Sequence, residues 1–180
     1  MANINAILNA LAMGASEQNA LEKAFSTIAY APIPLAEVFE SDATNMTPIT
    51  GATGPKRDMA NGDTDSGIVI TWVASNSDAV IFQTNIPPHV DQGDTITVKI
   101  RAKSGGTTDT PTFAADMYIN EGDTKVEATS GAISSSYAEL SVAISGANVP
   151  HKPRTFTCEL TPGAHTTDTV VVSALWLEFS

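Results

Sequence analysis

A change of period constrains this chain more than any other feature. From Ile68 onward the apolar pattern repeats every second residue, with no helical spacing between the repeats. Ile96, Val98, Ile100 and Ala102 alternate with Thr95, Thr97, Lys99 and Arg101. Phe113, Ala115, Met117 and Ile119 alternate with Ala114, Asp116, Tyr118 and Asn120. Leu140, Val142 and Ile144 keep the period, as do Phe156, Cys158 and Leu160. Successive side chains of a strand point to opposite faces, so each segment reads as a strand with one buried face. Turn residues separate the strands at Gln92-Gly93-Asp94, Ser104-Gly105-Gly106, Glu121-Gly122-Asp123, Ser130-Gly131 and Thr161-Pro162-Gly163. The count comes to about eight strands, the last from about Thr169 to Phe179. Without intervening helices a parallel βαβ sheet is excluded. Two antiparallel sheets packed as a jelly-roll sandwich fit the strand number.

The first 45 residues follow another rule. Ile4, Ile7, Leu8 and Leu11 recur at helical spacing behind Asn3 as N-cap, and Gly14 offers a stop. Ser16 and Glu17 open a second helix with the stripe Leu21, Ala24, Phe25 and Ile28. Ala31-Pro32-Ile33-Pro34 ends it as a linker, because proline cannot continue a helix. Helices this short are marginal alone, so their stripes need a receiver. The expected organisation is a mainly β chain: a helical arm with a proline linker over 1–45, then the sandwich over 46–180. Ile4, Ile7, Leu8, Leu11, Leu21, Phe25 and Ile28 are the expected interaction residues, packing within the chain or on another molecule. Residues 40–66 read as a long run of turns, with a short strand near Pro48–Thr50.

The closing strand breaks the alternation. Val170, Val171, Val172, Leu175, Trp176, Leu177 and Phe179 are apolar on both faces. One face enters the core; the other needs a cover, from the N-terminal helices or from another subunit. Trp72 and Trp176 both sit among apolar strand residues and read as core, whereas Tyr118 and Tyr137 read as freer.

Charge narrows the function classes. Nine Lys and Arg against 20 Asp and Glu leave a formal net charge of −11, which repels nucleic acid and anionic membranes. No run approaches the ~18 apolar residues of a membrane span. Lys23 is the first basic side chain, which argues against a secretory signal and for synthesis in a cytoplasm. The single cysteine, Cys158, makes no internal disulfide and falls on a buried strand face.

Catalytic and metal-binding patterns are not found. His89, His151 and His165 lie in loop sequence without metal-ligand spacing. No G-x-S-x-G elbow occurs. Gly51-Ala52-Thr53-Gly54-Pro55-Lys56 lacks the spacing and flanking elements of a phosphate loop and reads as a turn. The turn Asn61-Gly62-Asp63-Thr64-Asp65-Ser66-Gly67 has alternating oxygen donors, so Asp63 and Asp65 are candidate Ca²⁺ ligands, but it lacks the closing glutamate of an EF-hand. A self-capping turn is the simpler reading. The expectation is therefore a protein without cofactor, metal or catalytic residues.

The β-region resembles small jelly-roll virion proteins of tailed bacteriophages. The resemblance rests on Ile70-Thr71-Trp72, Asp78-Ala79-Val80, Ile86-Pro87 and Asp94-Thr95-Ile96-Thr97-Val98. It continues in Leu160-Thr161-Pro162-Gly163-Ala164-His165-Thr166-Thr167-Asp168 and the closing Trp176-Leu177-Glu178-Phe179. It implies a non-enzymatic capsid decoration or cement protein on the virion exterior, a homotrimer bound to the major capsid protein. The alternative is a carbohydrate-binding or adaptor module of a head or tail fibre that recognises a host surface glycan. Solvent-exposed aromatics in a groove favour that alternative; a third class, a jelly-roll glycan-degrading enzyme, needs two carboxylates in a cleft at roughly 5–10 Å.

Overall fold

The computed structural model describes residues 30–40, 54–63, 67–120 and 124–180. Eleven strands occur among them: β1 (Tyr30–Ile33), β2 (Phe39–Glu40), β3 (Lys56–Asp63), β4 (Ile68–Trp72), β5 (Val80–Asn85) and β6 (Ile96–Ser104), then β7 (Phe113–Ile119), β8 (Val126–Thr129), β9 (Ala138–Ile144), β10 (Thr155–Pro162) and β11 (Val170–Phe179). One sheet runs β3-β4-β11-β6-β9 with β1 added beside β11, and the other runs β2-β5-β10-β7-β8. All pairings are antiparallel.

The strand order is that of a jelly-roll. Four pairs nest inside one another: β4 with β11, β5 with β10, β6 with β9 and β7 with β8. The nested pairs alternate between the sheets, as when one long hairpin ribbon is wrapped into a sandwich. Pairing of β11 with β6 and of β10 with β7 completes each sheet. The expected eight strands are these; β1, β2 and β3 are additions at the edges.

The inward positions of both sheets meet in one core. Trp72, Phe82, Phe113, Met117, Phe156 and Leu160 are among its fully buried side chains. Trp72 and Phe113 pack edge to face at 6.0 Å between ring centroids. The Trp72 indole donates to the Asp78 carbonyl at 2.8 Å, so the large ring is buried without an unpaired donor. Cys158 lies in this core, as expected from its parity.

Three local features depart from the sequence reading. First, the proline segment is not a linker: Tyr30–Ile33 pairs with Leu175–Glu178, and Ile33 and Val38 are buried. The sandwich thus includes residues 30–40. Proline is tolerated at an edge, where the strand has a neighbour on one side only. Second, part of the polar run 40–66 is β3, an edge strand beyond β4. Its Arg57 anchors the β1–β2 connection by donating to the carbonyls of Leu35, Ala36 and Val38 at 3.1, 2.6 and 2.7 Å. Third, β11 gathers most of its apolar residues on one face, leaving Val171, Ala174 and Trp176 on the other. A bulge between Val172 and Ala174 inserts one residue and inverts the parity. Val170, Val172, Leu175, Leu177 and Phe179 all point inward, while Val171, Ala174, Trp176 and Glu178 point outward.

Candidate ligand groove on the five-stranded sheet

The outward positions of the five-stranded sheet follow from parity and register. Gln83 on β5 lies opposite Thr157 on β10, which lies opposite Tyr118 on β7. One step along, Asn85 faces Thr155 across the same pair of strands. Asn120 follows β7 with φ of 61°, a left-handed conformation that asparagine tolerates. Its backbone N–H donates to the Thr155 carbonyl at 3.0 Å, and its side-chain oxygen accepts from Arg154 N–H at 2.7 Å. The amide is therefore held in place at the mouth of the sheet.

These side chains line two neighbouring clefts. One, of about 430 Å³, is formed by Gln83, Asn120, Thr155 and Thr157. The other, of about 340 Å³, is formed by Glu37, Phe39, Ile81, Phe82, Gln83 and Thr157. Gln83 and Thr157 belong to both, so the clefts join into one groove. Amide and hydroxyl groups stand on one side, and the apolar Phe39 and Ile81 on the other, with Tyr118 beside Thr157 in register. Glu37 is the one carboxylate among the residues that line the two clefts.

The next row across the sheet is charged. Ile81, Glu159, Asp116 and Glu127 lie in register on β5, β10, β7 and β8. Lys125 bridges Asp116 at 2.9 Å and Glu127 at 2.6 Å. Its hydrogen bonds to Glu127 and then to Asp116 raise its pKa well above the usual lysine value. Beneath this row, burial pushes the Cys158 thiol pKa up, with the charges of Asp116 and Glu159 adding to the effect. Cys158 is therefore a packed thiol and not a nucleophile.

The expected site residues are distributed as follows. Ile4, Ile7, Leu8, Leu11, Leu21, Phe25 and Ile28 lie outside the described residues. Of the candidate Ca²⁺ ligands, Asp63 ends β3 and Asp65 lies outside the described residues. Among the described residues no three His, Cys, Asp or Glu side chains converge as a metal site. His89 and His151 are exposed. His165 is buried, with its ring nitrogens 2.8 and 3.1 Å from the carbonyl oxygens of Gly163 and Val73. Trp72 is core, but Trp176 is not: the β11 bulge turns it outward, where its indole donates to Glu178 at 3.2 Å. Tyr118 lies beside Thr157 in register, next to the clefts, and Tyr137 lies against Arg101 and Lys103 on the other sheet. Parity along each strand marks Gln83, Thr157 and Tyr118 as outward. Their alignment in one row depends on cross-strand register, which parity does not contain.

No family model matches the chain, and no curated protein matches it. Several solved structures are similar. The chain is 4% identical to the CBM22-1 xylan-binding domain of Paenibacillus barcinonensis Xyn10C, covering 86% of this chain and 87% of that one, with a TM-score of 0.44. It is 17% identical to CsCBM6-3 of Clostridium stercorarium, solved with cellobiose, covering 79% and 92%, with a TM-score of 0.41. It is 13% identical to the CBM22-1–GH10 modules of Clostridium thermocellum Xyn10B, covering 84% of this chain but 26% of that one, with a TM-score of 0.45. The architecture follows from the chain's own strand order and register.

Proposed function

We propose that this chain is a binding module for a neutral glycan, held along the groove of the five-stranded sheet. The observation that carries the reading is the row Gln83–Thr157–Tyr118, continued by Thr155 and Asn120. Uncharged amides and hydroxyls are donors and acceptors at once, which matches the vicinal hydroxyls of a sugar. Phe39, Ile81 and Tyr118 add apolar and aromatic surface for the C–H faces of the ring. An open groove across a rigid sheet suits a chain, with a few placed polar groups fixing its orientation.

The test is calorimetric titration of the full chain with soluble xylo-, cello-, laminari- and galacto-oligosaccharides. The expected result is binding to at least one series, with affinity rising as the oligosaccharide lengthens to fill both clefts. Tyr118→Ala and Gln83→Ala should each weaken it. Absence of binding across the four series, or binding untouched by both substitutions, would overturn the reading. Release of reducing ends during the titration would replace binding by cleavage, with Glu159 and Asp116 as the carboxylates to substitute first. Attachment to phage head shells without any glycan affinity would instead favour the capsid-decoration reading.

A further inference from the structure

The opposite face of the sandwich carries a different chemistry. On β6, Lys99, Arg101 and Lys103 share the outward side. Lys99 is neutralised, 2.9 Å from Glu139 and 3.3 Å from Glu178. Arg101 and Lys103 are not: among the described residues neither has a carboxylate within ion-pair distance. Both heads lie against the ring of Tyr137 instead, at 5.5 and 4.8 Å from its centroid. A ring holds cations in place without cancelling their charge, so their N–H donors remain available. This occurs in a chain of net charge −11, where Lys56 and Lys125 are ion-paired and Arg57 is satisfied by three carbonyls.

An aromatic platform adjoins these cations. Trp176 lies opposite Lys99, and Ala174 opposite Arg101, in the β11–β6 register. Tyr30, Pro32, Ala174, Trp176 and Glu178 line a shallow cleft of about 380 Å³, and Tyr30 is 59% exposed. An exposed Tyr30 and the half-buried rings of Trp176 and Tyr137, beside uncompensated cations on one sheet surface, match a ligand with flat apolar faces and sparse negative charge.

We propose that Arg101, Lys103 and Tyr137, together with the Trp176–Tyr30 platform, form a second ligand site, for an acidic glycan whose ring carboxylates meet the two cations. The planar guanidinium of Arg101 matches a carboxylate in two parallel hydrogen bonds. Outward residues of a strand are about 6.7 Å apart, twice the rise per residue. A duplex carries one charge per ~1.7 Å, about four times denser, and the net negative charge repels it. A uronic-acid chain, with one charge per sugar ring, avoids both penalties. The site lies on the other sheet from the neutral groove, so either can exist without the other.

The experiment titrates the full chain with a galacturonate hexamer, a xylose hexamer, a sulfated chondroitin hexamer, sodium sulfate and single-stranded DNA, at low salt and at ~0.2 M salt. The galacturonate hexamer should bind at low salt and weaken with added salt. The double substitution Arg101→Gln with Lys103→Gln should reduce that affinity at least tenfold, and Trp176→Ala should reduce it as well. Both should leave the thermal midpoint and any neutral-oligosaccharide binding unchanged. Tyr118→Ala should do the reverse, lowering neutral binding and sparing the galacturonate. The proposal is overturned if the charge substitutions leave galacturonate affinity intact, or if Tyr118→Ala abolishes it. It is also overturned if sodium sulfate, the sulfated hexamer or DNA binds as well as the uronate, or if the uronate does not bind at low salt.

Discussion

The two outer faces of this sandwich share one core and differ in nearly everything else. The five-stranded sheet presents uncharged Gln83, Thr157 and Tyr118 in one row. The six-stranded sheet presents Lys99, Arg101 and Lys103 along one strand, flanked by Trp176 and Tyr137. Inward positions are nearly all apolar, because the core asks first for volume and apolarity. Outward positions are free of that demand, so their chemistry reflects what each face meets. The contrast teaches that alternation specifies the sandwich while the outward half of each alternation specifies its use.

The strongest way to break the comparison is to attack what the faces share. Phe156 is fully buried between them, with its ring 6.3 Å from that of Phe82. Phe156→Ala should cost about 3–5 kcal/mol of stability by lost transfer energy and cavity formation. Cys158, two residues along and also fully buried, reports the same event. Its thiol should react with a labelling reagent only on opening of the core, and Phe156→Ala should speed that reaction by at least about 10²-fold, at ~1.4 kcal/mol per tenfold. Rapid labelling of the unaltered protein would mean that β10 presents its other face.

A smaller effect sharpens the comparison at the groove. Tyr118→Ala should lower glycan affinity by about five- to thirtyfold, or ~1–2 kcal/mol, by removing aromatic surface and a hydroxyl. Stability should move by less than ~0.5 kcal/mol, since the side chain points outward. Denaturant midpoints measured beside binding isotherms would show whether the residue serves the groove or the fold. A loss of stability as large as the loss of affinity would make Tyr118 a structural residue.

Much of this contrast was legible in the chain and part was not. β6, β7, β9 and β10 follow from alternation, because a one-residue slip would expose their whole apolar set. β1 was hidden by Pro32, which reads as a linker unless the strand is known to be an edge. β3 was hidden by Lys56, Arg57 and Asp58, polar residues that an edge strand accepts. Which apolar residues of Val170–Phe179 face inward depends on the bulge, which is invisible until β11 is registered against β6. Neither proposed ligand face was legible as a unit. Gln83, Tyr118 and Thr157 come from three strands, and Tyr137 reaches Arg101 from outside β6, so register alone assembles them.

Acid should unfold both ends of the molecule by one mechanism. Asp109, in the β6–β7 loop, accepts the backbone N–H groups of Thr167 and Asp168 at 2.7 and 2.9 Å. Asp168 returns the contact, accepting from Thr108 and Asp109 at 2.7 and 2.9 Å. Asp91, at the other end of β6, accepts from Lys152 and Gln92 at 2.9 and 2.8 Å. These backbone donors lower the pKa of Asp109, Asp168 N–H foremost, and that of Asp91, Lys152 N–H foremost. A carboxylate whose folded pKa lies below its unfolded value stabilises the fold above the unfolded pKa. That contribution fades as pH falls through the folded one. Stability should therefore decline below about pH 4, the ordinary aspartate range. Asp109→Asn and Asp91→Asn should each flatten that decline in denaturant titrations. A decline unchanged in both variants would place the acid-sensitive groups elsewhere.

The smallest expected change in stability probes how the charged face stays open to a ligand. Lys99 holds Glu139 at 2.9 Å, yet in register Glu139 lies opposite Arg101. Hydrogen bonding to Glu139, more than any other contact, raises the Lys99 pKa, so the lysine is charged throughout the working range. Exposed ion pairs of this kind are worth about 0–1 kcal/mol, so Lys99→Met should cost no more than that, and less at high salt. Its effect on the acidic-glycan site should be larger than its effect on the fold. Without Lys99, Arg101 stands opposite Glu139 in register, and a new pair between them would occupy the guanidinium proposed to take the ligand's carboxylate. Galacturonate affinity should then fall severalfold while the thermal midpoint barely moves. Adding Glu139→Gln to Lys99→Met should restore the affinity, because the competing carboxylate is gone. If Lys99→Met leaves the affinity unchanged, Arg101 is not the anchor and the site must centre on Lys103. If the second substitution fails to rescue it, Lys99 itself contacts the ligand.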